Sequence, residues 1–439
     1  MVRTLIAVVF VVLIAYVAFL FFRSATPAVE IPTPLNTVGQ SAPVTVHISG
    51  AHGIRRAQAI VEQNGTQYTV WTSPQPAQNA SNIWTINVGT GTVPQLKDGK
   101  ATLVVSAVSN DFRRKEASTQ REFTVLTRLP TVSADPDQHY LYVGMADLAT
   151  FNISGSFTEA GVRVGDQTFR AWPMPEGKPG YFSLFAYAWN TPVGTAPVVY
   201  ASYGGPNAVT TPIQFQFPKK EQPHYTTHDL QIDDRFVQKV VGELDPNGTG
   251  DPVERFVRIN NDMRKANNKT LSDLRLKTAD KFLWSDTFLR QANAKTEANF
   301  ADLRNYIYHG RKIDQQVHLG YDLAVTQHVG VQASNDGRVV WAAPLGIYGN
   351  CIVVDHGYGL QTIYGHLSRI DVHEGDRVRR GQEMGLSGMT GMAGGDHIHF
   401  SMQLDGVQID PKEWWDPHWI KDHVAKRGPM PPAEVAATK

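Results

Sequence analysis

Short runs of β-branched and aromatic residues, each closed by glycine, proline or an Asn-Gly or Asp-Gly pair, recur through most of this chain and restrict it to a fold built largely of short strands. Between about Val38 and Leu126 the runs include Tyr68–Trp71, Ile83–Val88 and Leu103–Val108, with Asn64-Gly65 and Asp98-Gly99 as hairpin signals. From about Pro130 to Pro218 the style repeats in Phe151–Ile153, Phe182–Trp189, Val198–Tyr203 and Ile213–Phe217. The 37 Gly and 26 Pro supply the turns, so the chain reads as mostly β, and its 439 residues predict several domains rather than one core. The two stretches are expected to form immunoglobulin-like β-sandwich modules over residues 36–128 and 129–218, although neither has the Cys, Trp, Cys spacing of a true immunoglobulin domain. Trp71, Trp84, Trp172 and Trp189 could present a carbohydrate-stacking surface, but core packing is the preferred reading.

Charge and cysteine content narrow the chemistry. Lys+Arg and Asp+Glu are both 41, so the balance gives no reason to expect a nucleic-acid partner. Cys351 is the only cysteine, which rules out an intrachain disulfide and a cysteine-rich metal site; any metal must be held by His and carboxylate. Leu5–Phe22 carries no charge between Arg3 and Arg23 and is long enough to span a bilayer, so residues 1–24 are expected to be an uncleaved transmembrane anchor, followed by a proline-punctuated linker at 25–35.

After the basic stretch Lys219–Pro223 the period changes. Ile232, Phe236, Val237 and Val240 fall at helical spacing behind Asp233 and Asp234, and Asp251-Pro252 opens a second helical run. Residues 219–297 therefore read as a linker and small helical insert, with Asn267-Asn268-Lys269 as an exposed loop. Strands return over 298–424, where Asp336-Gly337 and Asp405-Gly406 read as hairpin turns, and 425–439 reads as a disordered tail.

Three histidine motifs lie in that last β-rich stretch: His318-Leu319-Gly320-Tyr321-Asp322, Tyr364-Gly365-His366-Leu367 and His397-Ile398-His399. In a strand, residues two apart share a face at about 6.6 Å, so His397 and His399 can face one cleft. His318 and Asp322 would be about 13 Å apart if fully extended, so they can share an ion only if the chain turns, which Gly320 makes easy. Hydrolytic zinc needs three such ligands, an open position and a nearby group to move protons, and the set supplies all of these.

Order, spacing and surrounding glycines together resemble the lysostaphin-type, or LytM-like, zinc endopeptidases, over roughly residues 298–412. The matching text is His318–Asp322, Asp355–Gly359, Tyr364–Ser368, Gly375–Val378 with Gly381-Gln382 and Gly385, and Gly395–Phe400. The resemblance implies one Zn2+ bound by His318, Asp322 and His399, with His366 and His397 as the catalytic histidines that activate the attacking water and stabilise the oxyanion. It implies as substrate the peptide stems or cross-links of bacterial peptidoglycan, and hence a catalytic domain outside the cytoplasmic membrane, on its periplasmic or cell-wall side, with the N-terminus inside. His356 reads as structural, and His309, His328 and His373 as surface or core residues.

Rival motifs fail on single residues. His373-Glu374-Gly375-Asp376-Arg377 has Arg where H-E-x-x-H needs its second His, and Met384–Met392 lacks the lysine of a lipoyl or biotinyl carrier hairpin. Two alternatives stay open: an inactive relative that activates other wall hydrolases, and a wall-binding protein that acts through its β-sandwich modules. The insert is read chiefly as a bridge packed behind the peptidase, with a lid over its cleft as the second reading.

Overall fold

The computed structural model describes residues 2–74, 81–202, 208–218 and 222–430, with side chains from Val8 onward. The chain is mostly β and divides into two compact units. One comprises Met1–Thr131 with Ser154–Glu159 and Ala201–Val209; the other comprises Val132–Ile153, Ala160–Tyr200 and Thr210–Lys439.

The first unit opens with a helix, Val2–Arg23, most of whose described apolar side chains stand exposed, Phe22 at 84%. Among the described residues no helix is long and apolar enough to cross a membrane, so the expected transmembrane span at residues 1–24 has no support here. A five-stranded sheet, in the order Thr37–Val38, Glu116–Val125, Gly99–Ser109, Ile54–Gln63, Thr66–Thr72, shares one core with a three-stranded sheet of Ala28–Glu30, Ala42–Ser49 and Ser81–Val88. Alternate residues point inward, as period-2 patterning requires: Val44, Val46 and Ile48 from one sheet meet Ala59, Val61, Leu103 and Val105 from the other. The expected linker at 25–35 is part of this unit. Ala28–Glu30 pairs antiparallel with His47–Ser49, and Ile31 and Leu35 are buried; the neighbouring prolines confine the segment to a sheet edge rather than excluding it. Asn64-Gly65 makes the expected two-residue hairpin, with φ of 50° and 79° between Gln63 and Thr66. Asp98-Gly99 does not, because the strands before and after it belong to different sheets.

The second unit contains most of the second β-module and everything after it. Two four-stranded sheets, Trp172–Pro173, Tyr181–Ala186, Ala146–Ser154, Thr131–Ala134 and Gln167–Arg170, Glu159–Val164, Val198–Ser202, Ala208–Pro212, carry the module. Its core runs on into the C-terminal β domain, so the break expected at residue 218 is not a break in packing. Phe182 packs edge-on against Tyr358 at 4.9 Å, Trp172 meets the same ring at 5.2 Å, and Arg170 Nε donates to Asp405 Oδ1 at 3.0 Å.

The insert is more than helical. Its strand Thr227–Ile232 runs parallel to Asp302–Tyr308, which pairs antiparallel with Arg311–His318. Helices Asp234–Leu244 and Pro252–Arg258 follow, capped by Asp233 and Asp251 as their sequence signals require. Asn267, Asn268 and Lys269 lie in the helix Arg264–Asp273, not in a loop. Asn267 Oδ1 accepts from the Ile347 N–H at 2.9 Å and Asn268 Oδ1 from the Tyr348 hydroxyl at 2.8 Å, so the polar pair docks the helix on its neighbour.

The main sheet of the C-terminal domain orders its strands Lys295–Ala298, Tyr321–Ala324, His397–Leu404, Leu360–Leu367, Asn350–Gly357, Gly337–Pro344, Arg377–Val378, with Val407–Ile409 on His397–Leu404. Asp405-Gly406 is the hairpin expected, whereas the strands flanking Asp336-Gly337 lie in different sheets. The tail is packed as far as Met430, 7% exposed, with Arg427 Nη1 donating to the Leu148 carbonyl at 2.8 Å; residues 431–439 of the expected disordered tail lie outside the described residues.

Candidate metal centre

Register brings the motifs together. In the main sheet Asp322 stands directly opposite His399, and His399 opposite Gly365, the residue before His366. Directly opposed side chains sit about 4.5–5.5 Å apart at Cβ, close enough to share an ion. His318 ends the strand Arg311–His318 of one sheet and Asp322 belongs to Tyr321–Ala324 of another, so the chain changes sheets across Leu319-Gly320.

Gly320 serves that crossing differently from what flexibility alone implies. It is absent from the glycines with positive φ; what it provides is space. A Cβ there would lie 2.7 Å from His399 Cε1 and Nε2 and 2.7 Å from the Phe400 carbonyl oxygen.

Three buried atoms converge. His318 Nε2 is 3.0 Å from Asp322 Oδ1 and 3.0 Å from His399 Nδ1, and the last two are 3.2 Å apart. Ligands about 2.0 Å from a tetrahedral ion are separated by about 3.3 Å, so this near-equilateral triangle fits one face of such a site. His318 Nδ1 donates to the Asn299 carbonyl at 2.9 Å, which leaves Nε2 with its lone pair for the centre. His399 Nε2 is buried with no hydrogen-bond partner among the described residues.

His366 and His397 complete the wall. Their rings lie 4.8 Å apart, and His366 is 5.8 Å from the His399 ring. His366 Nδ1 donates to the Thr390 carbonyl and His397 Nδ1 to the Gly395 carbonyl, each at 2.9 Å, so in each ring Nε2 is the nitrogen left to exchange a proton. The His397 Nε2 atom lies 3.4 Å from Asp322 Oδ1. His366 has φ of +66°, a conformation rare outside glycine and found where a site dictates the backbone.

Electrostatics favour a carboxylate at Asp322 and neutral rings at His318, His366 and His399, with His397 the exception. Burial pushes Asp322 up, but the charge and hydrogen bond of His318 and the hydrogen bonds of His397 and His399 more than offset it and hold it well below the usual carboxylate range. Burial lowers His318, takes His399 down to about 4, and holds His366 well below the ordinary histidine value, with His397 and His399 adding to the effect. At His397 burial is outweighed by Asp322 and the Gly395 carbonyl, so its pKa is raised.

These five residues line a cleft of about 850 Å³. One side comes from the insert, through residues 228–233 with Phe236, Arg264 and Asn268, so the insert is not merely a bridge behind the domain. Sequence reasoning missed Arg304, whose Nη2 donates to Asp322 Oδ2. The only sequence signal for it is alternation in Asp302–Tyr308, which puts Asp302, Arg304 and Tyr306 on one face, directly across from and on the same side as His318, Gln316 and Asp314. His356 is buried away from the cleft, with Nδ1 2.7 Å from the Asp336 carbonyl and Nε2 2.8 Å from the Thr362 hydroxyl; His309, His328 and His373 are exposed and do not line it.

Residues 316–411 match the model of peptidase family M23, a stretch that contains all five. The chain carries an M23 peptidase domain of the LytM/lysostaphin type. Among curated relatives, it is 36% identical over 96 residues to the DD-carboxypeptidase/endopeptidase Mpg of Neisseria meningitidis, covering 22% of each chain. It is 42% identical over 93 residues to the peptidoglycan DD-endopeptidase ShyA of Vibrio cholerae, covering 21% of this chain and 22% of that one. It is 34% identical over 95 residues to the murein hydrolase activator EnvC of Escherichia coli, covering 22% and 23%. The matches thus span about a fifth of the length of these relatives.

Proposed function

We propose that this chain is a zinc-dependent endopeptidase that hydrolyses the peptide cross-links of bacterial peptidoglycan, with His318, Asp322 and His399 holding one Zn2+ and His366 and His397 moving protons. The observation that carries the reading is the triangle of His318 Nε2, Asp322 Oδ1 and His399 Nδ1 at 3.0–3.2 Å, a donor set of two imidazoles and one carboxylate suited to catalytic zinc. Bound zinc supplies a Lewis acid that acidifies water and polarises a carbonyl. The two remaining imidazoles are anchored through Nδ1 to backbone carbonyls and present Nε2 to the cleft. One takes the proton of the attacking water, and the other donates to the charge that develops on the scissile carbonyl oxygen. Retention of all five side chains in one cleft supports hydrolysis over the inactive-activator reading.

The surrounding units fit the same account. Two sheets around one core support a sandwich of immunoglobulin-like size in the first unit, and a peptidoglycan substrate requires the catalytic domain to lie on the side of the membrane where peptidoglycan lies. Purified peptidoglycan incubated with the full chain and zinc should release fragments that mass spectrometry shows to carry new amino termini on intact glycan. Fragments with cleaved glycan and intact peptides, or no release, would reject the proposal.

A further inference from the structure

The cleft is lined by acidic residues, Asp229, Asp233 and Asp302 among them, and by two arginines. Arg304 is already engaged, paired with Asp322. Arg264 is not: among the described residues it has no carboxylate within ion-pair distance.

Its guanidinium is held by neutral groups instead. Nη2 donates to Asn260 Oδ1 at 2.6 Å and Nε to the Asn260 carbonyl at 3.1 Å, while Nη2 also lies 3.5 Å from the Tyr306 hydroxyl and 3.4 Å from Met392 Sδ. Asn260 is fully buried and donates in turn to Asp314 Oδ2 at 2.6 Å, so the nearest carboxylate on this path is reached only through an amide. Nη1 has no hydrogen-bond partner among the described residues. A guanidinium fixed along one edge by neutral acceptors, with its remaining donors beside a cavity, is preorganised for a planar anion.

Its position links it to the reaction centre. Arg264 and Asn268 are four apart on one helix face, Asn268 holds the Tyr348 hydroxyl, and the Tyr348 ring packs 5.4 Å from the His399 ring. We propose that Arg264, contributed by the insert from outside the M23 match, is the subsite that receives a free carboxylate of the peptide bound in this cleft. Resting on the peptidase reading above, this names the substrate class more narrowly: stem peptides whose carboxylates are free, in preference to amidated ones.

The test measures equilibrium binding to the metal-free full chain, so that no hydrolysis intervenes. The probes are a synthetic stem tetrapeptide with free carboxylates and the same peptide with them converted to amides. The unaltered chain should bind the free acid about tenfold or more tightly than the amide. Arg264→Gln should erase that preference while leaving the affinity for the amide unchanged, and Arg264→Lys should restore only part of it. Equal affinity for both probes, no binding of either, or an equal fall for both in Arg264→Gln would overturn the subsite, the last because it marks a merely structural role. Wall hydrolysis by the zinc-loaded chain reports separately: hydrolysis without carboxylate preference overturns the subsite alone, and preference without hydrolysis overturns the peptidase reading alone.

Discussion

Replacing Gly320 with alanine adds one methyl group on the outer face of the metal centre, and the structure sets the size of the effect. The new Cβ would stand 2.7 Å from His399 Cε1 and Nε2, where contacts under 3.0 Å essentially never occur and ordinary contact begins at 3.4 Å, so the ring must retreat by about 0.3 to 0.7 Å. Metal sites tolerate ligand displacements of only about 0.2 Å. The Phe400 carbonyl oxygen also lies 2.7 Å from the added atom and is fixed in the strand pair Tyr321–Ala324 with His397–Leu404, so two neighbours must yield at once. His399 Nδ1 must therefore leave the 3.0–3.2 Å triangle. Zinc affinity is expected to fall about 10- to 100-fold, the range seen when the support of a ligand is lost. Competition against a chromogenic chelator reads the affinity directly, with circular dichroism to confirm folding. A folded Gly320→Ala chain that holds zinc as tightly as the unaltered one would refute the reasoning.

Other consequences follow from neighbouring contacts. Arg304→Met removes the partner of Asp322 Oδ2 and should weaken zinc binding about 10- to 100-fold in the same competition assay, with Arg304→Lys intermediate. His366→Ala and His397→Ala should keep one zinc per chain yet lose about 10²-fold or more in turnover, measured as peptide release under saturating zinc. Away from the cleft, His139 is fully buried, 2.6 Å from Asp147 and 3.2 Å from Asp135; burial lowers its pKa, but these carboxylates more than offset that and raise it to about 9. A raised histidine stabilises fully below its unfolded value near 6.5 and loses that contribution as pH climbs through about 9, so stability on the order of 3 kcal/mol should disappear across that window. Urea denaturation at pH 6 and pH 10 checks this, and His139→Gln should flatten the difference.

Which parts of this were legible in sequence follows from how local their causes are. Asp233 and Asp251 announce the helices they cap because a cap and its donor are two or three residues apart. His397 and His399 share a face because strand periodicity is exact over two residues, and both line the cleft. Arg304 was invisible because its role depends on the register of Asp302–Tyr308 with Arg311–His318 and on a second sheet that holds Asp322. The same limit explains Gly320, whose need for space comes from His399, far along the chain. Asn267 and Asn268 read as loop residues by composition, and only the backbone N–H of Ile347 and the hydroxyl of Tyr348 make a helix the better place for them. Phe182, Tyr358 and Trp172 likewise join the second β-module to the catalytic domain through contacts that no local pattern records.

Peptide-bond hydrolysis by this chain is proposed to depend on a zinc ion held by the converging atoms of His318, Asp322 and His399. The decisive experiment titrates the metal-free full chain with zinc while counting new amino termini released from purified peptidoglycan. No release is expected without metal, then a rise that saturates at one zinc per chain, and neither stoichiometric binding nor release in Asp322→Ala. A chain that binds one zinc and breaks no peptide bond, or one that releases peptides equally well without metal, would show the proposal to be wrong.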